Sequence, residues 1–374
     1  MKRTAIIMAG GSGERFWPIS RRNKPKQLLK LASDKTMLED SIERISPLIA
    51  PEDIFIITGR QLLEQIRRTL PMLPPENIVA EPYKRNTAPC LALGAAFIMC
   101  RYAEKYSAEE ISIAVLTADQ IIYPNDGFIK TVKATFEYVE KRPVLATIGI
   151  TPWRVETGYG YIEVAEPFDD KPDTELIKPV ISFREKPDAK TAEIFINSGN
   201  FLWNSGMFFW RSDVFTEAMK NHFPEVGEQI DIMTDLYRNR TDIAYPDAYE
   251  KIAPIFESFP NESIDYALME KAERVVVSKA LFKWDDVGSW DSLERVKTKD
   301  NNGNIIEGPT SLIDCKNSII INNTDKKIVV AGAGLEDMVI VASEDAIMIC
   351  PKNKVQDVKK CVSNLQKNNG DKWL

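Results

Sequence analysis

The sequence has one histidine, His222 in "KNHFPE". A Ser-His-Asp triad would have to use that residue, and a metal centre built from several imidazoles is excluded. Its ordinary reading is a surface or helix-end side chain, so the chemistry is expected to need no imidazole. Cysteine is sparse: Cys90, Cys100, Cys315, Cys350 and Cys361 are odd in number, widely spaced and without a Cys-x-x-Cys pair. That argues against a zinc site or a dithiol centre and fits a reducing cytoplasm. There is also no long apolar run. The longest, "APCLALGAAFIMC" (Ala88 to Cys100), falls short of the ~20 residues a membrane helix needs. Lys2 and Arg3 precede only the short "TAIIMA", too brief for the core of an export signal. A net charge of −7 and no extended basic stripe argue against general nucleic-acid binding.

What is present is ordinary globular composition, 44% hydrophobic and 28% charged, over 374 residues, enough for one large domain and a smaller one. From Thr4 to about Ile150, β-branched runs ("TAIIMA", "DIFIITG", "ISIAVLTAD", "PVLATIGI") alternate with helical patterns ("MLEDSIERISPLI", "QLLEQIRRTL", "APCLALGAAFIMCRYAEKY", "FIKTVKATFEYVEK"). This alternation predicts an α/β fold, a Rossmann-like mostly parallel sheet flanked by helices, with ligands at the carboxyl ends of its strands. From about Thr151 the pattern reads as an insertion: "ETGYGYI", a loop around "PFDDKPD", the strand "VISFREKP", then "FLWNSGMFFW" and several helices. The chain then returns through "RVVVS" and "LFKW". After the polar "TKDNNGN", short apolar runs recur every ~8 to 10 residues ("NII", "SLI", "SIIIN", "KIVVA", "DMVIV", "AIMIC"), which predicts a small C-terminal β-helix-like domain. An amphipathic helix, "KVQDVKKCVSNLQKN", closes it. The expected domains are residues 1–295 and residues 296–374.

The stretch "GGSGERFWPISRRNKPKQLL" follows the first strand. Gly10, Gly11 and Gly13 open a turn whose backbone N–H groups can approach a bound atom closely, and Arg15 and Lys26 add cations, so a phosphate is the favoured ligand. It is not a Walker A loop, and it lacks the third glycine of the dinucleotide fingerprint. Asp119 ends the strand "ISIAVLTAD" and Asp286 follows "LFKW"; two carboxylates at strand ends suit Mg²⁺, although each would ordinarily serve as a turn or helix cap. The neighbouring Asp285 would point away from Asp286 if extended. Arg21, Arg22 and Lys24 are read as a solvated basic surface.

"GGSGERFWPIS" followed by "PKQLL" resembles the sugar-1-phosphate nucleotidylyltransferases, and within them the mannose-1-phosphate guanylyltransferases (GDP-mannose pyrophosphorylases). The resemblance continues in order through "EPYKRNTAP", "TADQ", "ETGYGYI", "FREKPD", "WNSGMFFW", "SIDYALMEKA" and "WDDVGSW", with "GLEDMVIV" resembling the family's C-terminal part. It implies a nucleotidyltransferase (GT-A-like) fold and transfer of GMP from GTP to mannose 1-phosphate, with pyrophosphate leaving. The nucleophile is already an anion, so positioning and charge neutralisation supply the catalysis and the shortage of histidine is no obstacle.

By the same resemblance, Gly10, Gly11 and Gly13 surround the nucleotide, Arg15 and Lys26 are catalytic on the phosphates, and Asp119 and Asp286 hold Mg²⁺. Gly160, Glu185, Lys186 and Asn204 receive the sugar phosphate. Glu81, Arg85 and Asn86 stand beside guanine and ribose, in a loop where Thr87 is also expected to cap the next helix. One departure is Gln120, where relatives usually have His. A homodimer in the cytoplasm is implied, with neither nucleic acid nor membrane as partner. The chain ends before the phosphomannose isomerase module that many bacterial relatives carry, so one activity is expected. Three alternatives stay open: a nucleotidylyltransferase using UTP or dTTP with glucose 1-phosphate; a metal-dependent glycosyltransferase with an Asp-Asp pair, which would not require the Arg15 and Lys26 arrangement; and a non-catalytic sugar-nucleotide sensor.

Overall fold

The computed structural model describes residues 1–168, 176–238, 247–325 and 328–374. The expected loop around "PFDDKPD" lies mostly outside them, as does the first residue of the "KIVVA" run. The chain forms two compact units. One comprises Met1–Ala9, Ile42–Thr117 and Ile122–Lys283; the other comprises Gly10–Ser41, Ala118–Ile121 and Trp284–Leu374.

The first unit is built on a nine-stranded sheet. Its strands are β1 (Lys2–Ala9), β2 (Ile54–Gly59), β3 (Ile78–Glu81) and β4 (Ile111–Thr117). After the short β5 (Ile121–Tyr123), where the chain re-enters this unit, come β6 (Leu145–Ile150), β7 (Gly160–Val164), β8 (Ile177–Glu185), β9 (Phe201–Arg211) and β10 (Val275–Lys279). Their order is β3-β2-β1-β4-β9-β6-β10-β8-β7. β1 to β4 run parallel, as do β6 and β10. Only β8 and β9 run against the rest, so the expected mostly parallel sheet is present.

Alternation along the strands loads both faces. Ile6, Ile113, Val115 and Phe208 pack in one cluster with the helix Thr87–Tyr102, which is buried continuously from Ala88 to Ile98 and so reads as apolar all round. The adjacent Phe209 turns to the other face and meets Phe136 of the helix Asn125–Val139 edge-on, with ring centroids 5.4 Å apart. His222 is the last residue of the helix Ser212–His222, all five cysteines are free, and no helix among the described residues is long and apolar enough to cross a membrane.

The helix at Thr87 corrects one expectation. The cap is Asn86, whose side-chain oxygen accepts from the Thr87 N–H at 2.9 Å, while Thr87 Oγ1 accepts from the Ile264 N–H at 2.8 Å. Asn86 has φ +67° and ψ −171°, a conformation that glycine normally occupies, and this places its carboxamide over the helix end.

In the second unit, which the chain enters through β11 (Lys283–Asp285), the apolar runs form β12 (Ile305–Glu307), β13 (Thr310–Ile313), β14 (Ile319–Asn322), β15 (Val330–Ala333), β16 (Met338–Ala342) and β17 (Ile347–Pro351). Successive runs alternate between two sheets. β12, β14 and β16 stack in parallel, with Ile305 beside Ile319 and Ile319 beside Val339, while β13 pairs in parallel with β15; β17 returns antiparallel on β16. This is the expected β-helix-like arrangement. One face of the larger sheet (Ile305, Ile319, Ile321, Val339, Val341, Met348) shares a core with Phe16, Leu29, Leu31 and Trp290. The segment after the glycine-rich turn is therefore supported by strands nearly 300 residues later in the sequence.

Phe136 is fully buried, and truncating such a ring costs ~3–5 kcal/mol. Phe136→Ala is accordingly expected to lower stability by about that amount in a urea titration. A loss below ~1 kcal/mol would contradict the packing described for this face of the sheet.

Candidate active site

The second unit gathers the predicted phosphate and metal residues. Gly13, with φ +63°, starts the one-turn helix Glu14–Phe16; a Cβ there would stand 2.4 Å from Lys26 Cβ, so only glycine lets the two segments touch. Lys26 is drawn inward until its side chain is 8% exposed. Its Nζ donates to Asp119 Oδ2 at 2.9 Å and to the Asp286 backbone carbonyl at 2.5 Å. A buried ammonium needs such partners, and these two tie the glycine-rich segment to both predicted metal residues.

Arg15 Nη1 donates to the Gly288 carbonyl at 3.1 Å, two residues beyond Asp286, while its Nε is buried without a hydrogen-bond partner. A Cβ at Gly288 would lie 3.1 Å from Asp286 Oδ2 and 3.4 Å from Arg15 Nη1, which shows that carboxylate and guanidinium converge there.

The two adjacent aspartates divide as the extended backbone requires. Asp285 is buried, receives a bidentate pair of hydrogen bonds from Arg295 and accepts from the Val287 N–H at 2.8 Å. Asp286 remains 35% exposed and Asp119 43% exposed. Val287, between Asp286 and Gly288, has φ +44°, a genuine outlier for a β-branched residue, and its full burial in the unit's core holds it there. No cluster of three or more His, Cys, Asp or Glu exists among the described residues. The donor set is thus two carboxylates beside a cationic loop, which fits an ion that takes only one or two carboxylates and completes its shell with phosphate and water.

Arg21 departs from the solvated surface expected of it. Its guanidinium donates to the Trp373 carbonyl and to Ser343 Oγ at 3.1 Å and pairs with Asp345 at 2.5 Å; Trp17 Nε1 reaches the same Trp373 carbonyl at 2.8 Å. Arg22 pairs with Asp371 at 2.9 Å in a more exposed position. These contacts fasten the stretch after the glycine-rich turn to residues 371–373.

The first unit gathers the predicted sugar residues. Gly160 lies directly opposite Glu185 on neighbouring strands, and a Cβ at 160 would stand 2.2 Å from Glu185 Oε1, so any side chain there would displace that carboxylate. Lys186, at φ +46°, has its Nζ 3.6 Å from Glu185 Oε2. Asn204 Nδ2 donates to Asp265 Oδ1 at 2.7 Å. Sequence reasoning assigned nothing to Asp265, although it lies within the "SIDYALMEKA" block. Burial, and then the charge of Glu185, push its carboxyl up to about 6.

Glu81, at the end of β3, is pushed up to about 7 by burial, against the hydrogen bond of the Cys90 thiol and the charge of Lys84. Arg85 donates to the Glu257 carbonyl at 2.6 Å, and Asn86 is occupied as the helix cap. Both therefore have backbone tasks of their own.

Glu81 and Asp265 also govern the pH dependence of stability. Each retains its proton in the folded chain at pH values where the unfolded chain has lost it. Their contribution is therefore complete below the ordinary carboxylate range and is lost as pH rises through about 6 to 7. Carboxylates held low by backbone N–H groups, such as Asp188 and Asp300, act only below that window. Stability from denaturant titration is expected to fall by roughly 1–3 kcal/mol per group between pH 5 and pH 7.5, and Glu81→Gln is expected to flatten the slope. A wild-type slope that is flat or rises would contradict this.

Residues 4–303 match the family model described as nucleotidyl transferase, and residues 309–365 match that of the MannoseP isomerase/GMP-like beta-helix domain. Mannose-1-phosphate guanylyltransferase 2 of Escherichia coli O157:H7 is 36% identical over 97% of this chain and 73% of its own length. The mannose-1-phosphate guanylyltransferase of Klebsiella pneumoniae is 36% identical over 97% of this chain and 74% of its own. A solved structure described as mannose-1-phosphate geranyltransferase from Thermus thermophilus superposes with a TM-score of 0.82 at 29% identity, covering 98% of this chain and 100% of that one. With this fold, this β-helix and relatives of that similarity over nearly its whole length, the chain belongs to the nucleotidyl transferase family, and within it to the mannose-1-phosphate guanylyltransferases.

Proposed function

We propose that the chain transfers GMP from GTP to mannose 1-phosphate. A phosphate oxygen of mannose 1-phosphate attacks the α-phosphorus of GTP in line. The new P–O bond forms as the bond to the β-phosphate oxygen breaks, giving GDP-mannose and pyrophosphate. The near full-length relatives named for this activity support the reading. The structural observation that carries it is the buried Lys26 ammonium, held between the Asp119 carboxylate and the Asp286 carbonyl beside the glycine-rich turn.

In this reading Gly10, Gly11 and Gly13 admit the triphosphate, while Arg15 and Lys26 offset the charge that gathers on the α-phosphate and the departing pyrophosphate. Asp119 and Asp286 would hold Mg²⁺, which when bound neutralises phosphate charge and favours departure of the leaving group. Glu185 and Asn204 hydrogen-bond sugar hydroxyls, Gly160 leaves room for them, and Lys186 meets the sugar phosphate. Glu81, Arg85 and Asn86 lie on the base side. Residues 1–295 serve as the catalytic domain and 296–374 as its β-rich companion, in a cytoplasmic homodimer.

Pyrophosphate release measured over a matrix of nucleoside triphosphates and hexose 1-phosphates, with and without Mg²⁺, tests the reading. GTP with mannose 1-phosphate is expected to be the fastest pair. Preference for UTP or dTTP with glucose 1-phosphate would replace this activity by a related one, and absence of turnover in every combination would leave a sensor. Arg15→Ala and Asp286→Ala are each expected to lose at least ~10²-fold in rate; near-normal turnover by either would remove its assigned role. Glu81→Ala is expected to reduce the preference for GTP over ATP and UTP in the same assay, and unchanged relative rates would count against it.

A further inference from the structure

The orientation of the Asn204 side-chain amide is decided by its neighbours. The Gly206 N–H, which can only donate, lies 3.2 Å from Asn204 Oδ1, and Thr147 Oγ1 lies 3.2 Å from the same atom. That end is therefore the oxygen, and the NH₂ end faces Asp265 Oδ1 at 2.7 Å. An ionised carboxylate can only accept, so the Asn204–Asp265 hydrogen bond has one direction. It uses one amide proton and leaves the second.

Asp265 itself is delivered by an unusual piece of backbone. It opens the five-residue π-helical turn Asp265–Met269, a wider turn than the α-helix, rare and frequently found at functional sites. The turn is anchored by Ala267, Leu268 and Met269, all fully buried, and by the Ile264 N–H donated to Thr87 Oγ1. Burying a carboxylate near the charge of Glu185, with an uncharged amide as partner, is costly for folding alone. A structural role would be filled better by a neutral side chain.

The geometry points to Asp265 as the positioning residue of the hexose subsite: its carboxylate locks the Asn204 amide so that the remaining N–H of Asn204 and the carboxylate of Glu185 are presented to hydroxyl groups of the sugar. The inference rests on the reading of Asn204 and Glu185 as sugar contacts. It adds a specificity element that acts through Asn204 and leaves the phosphate chemistry untouched.

The test uses the full chain, with Asp265→Ala and Asp265→Asn. Asparagine keeps an acceptor oxygen for the Asn204 amide, whereas alanine removes it. Asp265→Ala is expected to raise KM for mannose 1-phosphate about tenfold, the worth of one oriented hydrogen bond, with KM for GTP changed less than about twofold. Asp265→Asn is expected to restore KM for the sugar phosphate to within about threefold of wild type. Asp265→Ser serves as the second deletion if the alanine variant does not fold, with the same selective rise expected. Equal changes in both KM values, no change in either, or failure of asparagine to rescue would overturn the inference.

Calorimetric titration with mannose 1-phosphate separates this result from the function itself. If the wild-type chain binds no mannose 1-phosphate, the proposed function falls and this inference falls with it. If wild type and Asp265→Ala bind it equally well, this inference alone is overturned.

Discussion

A lysine ammonium removed from water is the constraint on which the arrangement of the glycine-rich segment depends. Lys26 could satisfy its charge on the surface with no structural consequence. Buried, it must find a carboxylate and further acceptors, and the two it finds come from Asp119 and Asp286, far apart in sequence. Meeting that single requirement brings three distant segments into register. Gly13 is part of the same constraint, because a side chain there would occupy the space of Lys26 itself.

The opposite side of the loop is fixed by packing. Phe16 meets Trp290 edge-on at 5.0 Å and enters the core formed by β12, β14 and β16. Trp290 Nε1 in turn donates to the Trp17 carbonyl at 3.1 Å. The residue that carries the guanidinium, Arg15, thus lies between a turn held by a buried cation and an aromatic anchored on the C-terminal strands. Those strands accordingly contribute to the preorganisation of the loop, which in the proposed function is what electrostatic catalysis draws on.

The legible parts of the sequence are those with a local physical signature. Strands buried on both faces appear as β-branched runs, the continuously buried helix as an unbroken apolar stretch, and the loop as glycines followed by cations. Adjacent residues of an extended chain face opposite ways, so only one of Asp285 and Asp286 could reach an ion, and the family resemblance picked Asp286. What could not be read is what depends on distant partners or on rare backbone. Nothing in "SRRNK" distinguishes Arg21 from Arg22, yet the first is clamped by Ser343, Asp345 and the Trp373 carbonyl and the second is near the surface. The helix cap moves from Thr87 to Asn86 because Asn86 adopts a positive φ that its identity only weakly favours. Asp265 was hidden for a similar reason: a lone aspartate before an apolar helix reads as an ordinary cap, and only a π-helical turn makes it something else.

In the proposed function, the division of donors and acceptors lets a chain with net charge −7 handle both a polyanion and a sugar. A triphosphate offers only acceptors and negative charge, so donors and cations suit it, which is the character of the proposed backbone N–H groups, Arg15, Lys26 and divalent ion. A hexose offers hydroxyl groups, each able to donate, so acceptors of high charge density suit it best. In the proposed function Glu185 supplies one, with Asp265 acting behind it through Asn204, at an electrostatic cost visible in the raised carboxyl of Asp265. The attacking oxygen, in the same proposed function, arrives already ionised, so no proton-transfer residue is required.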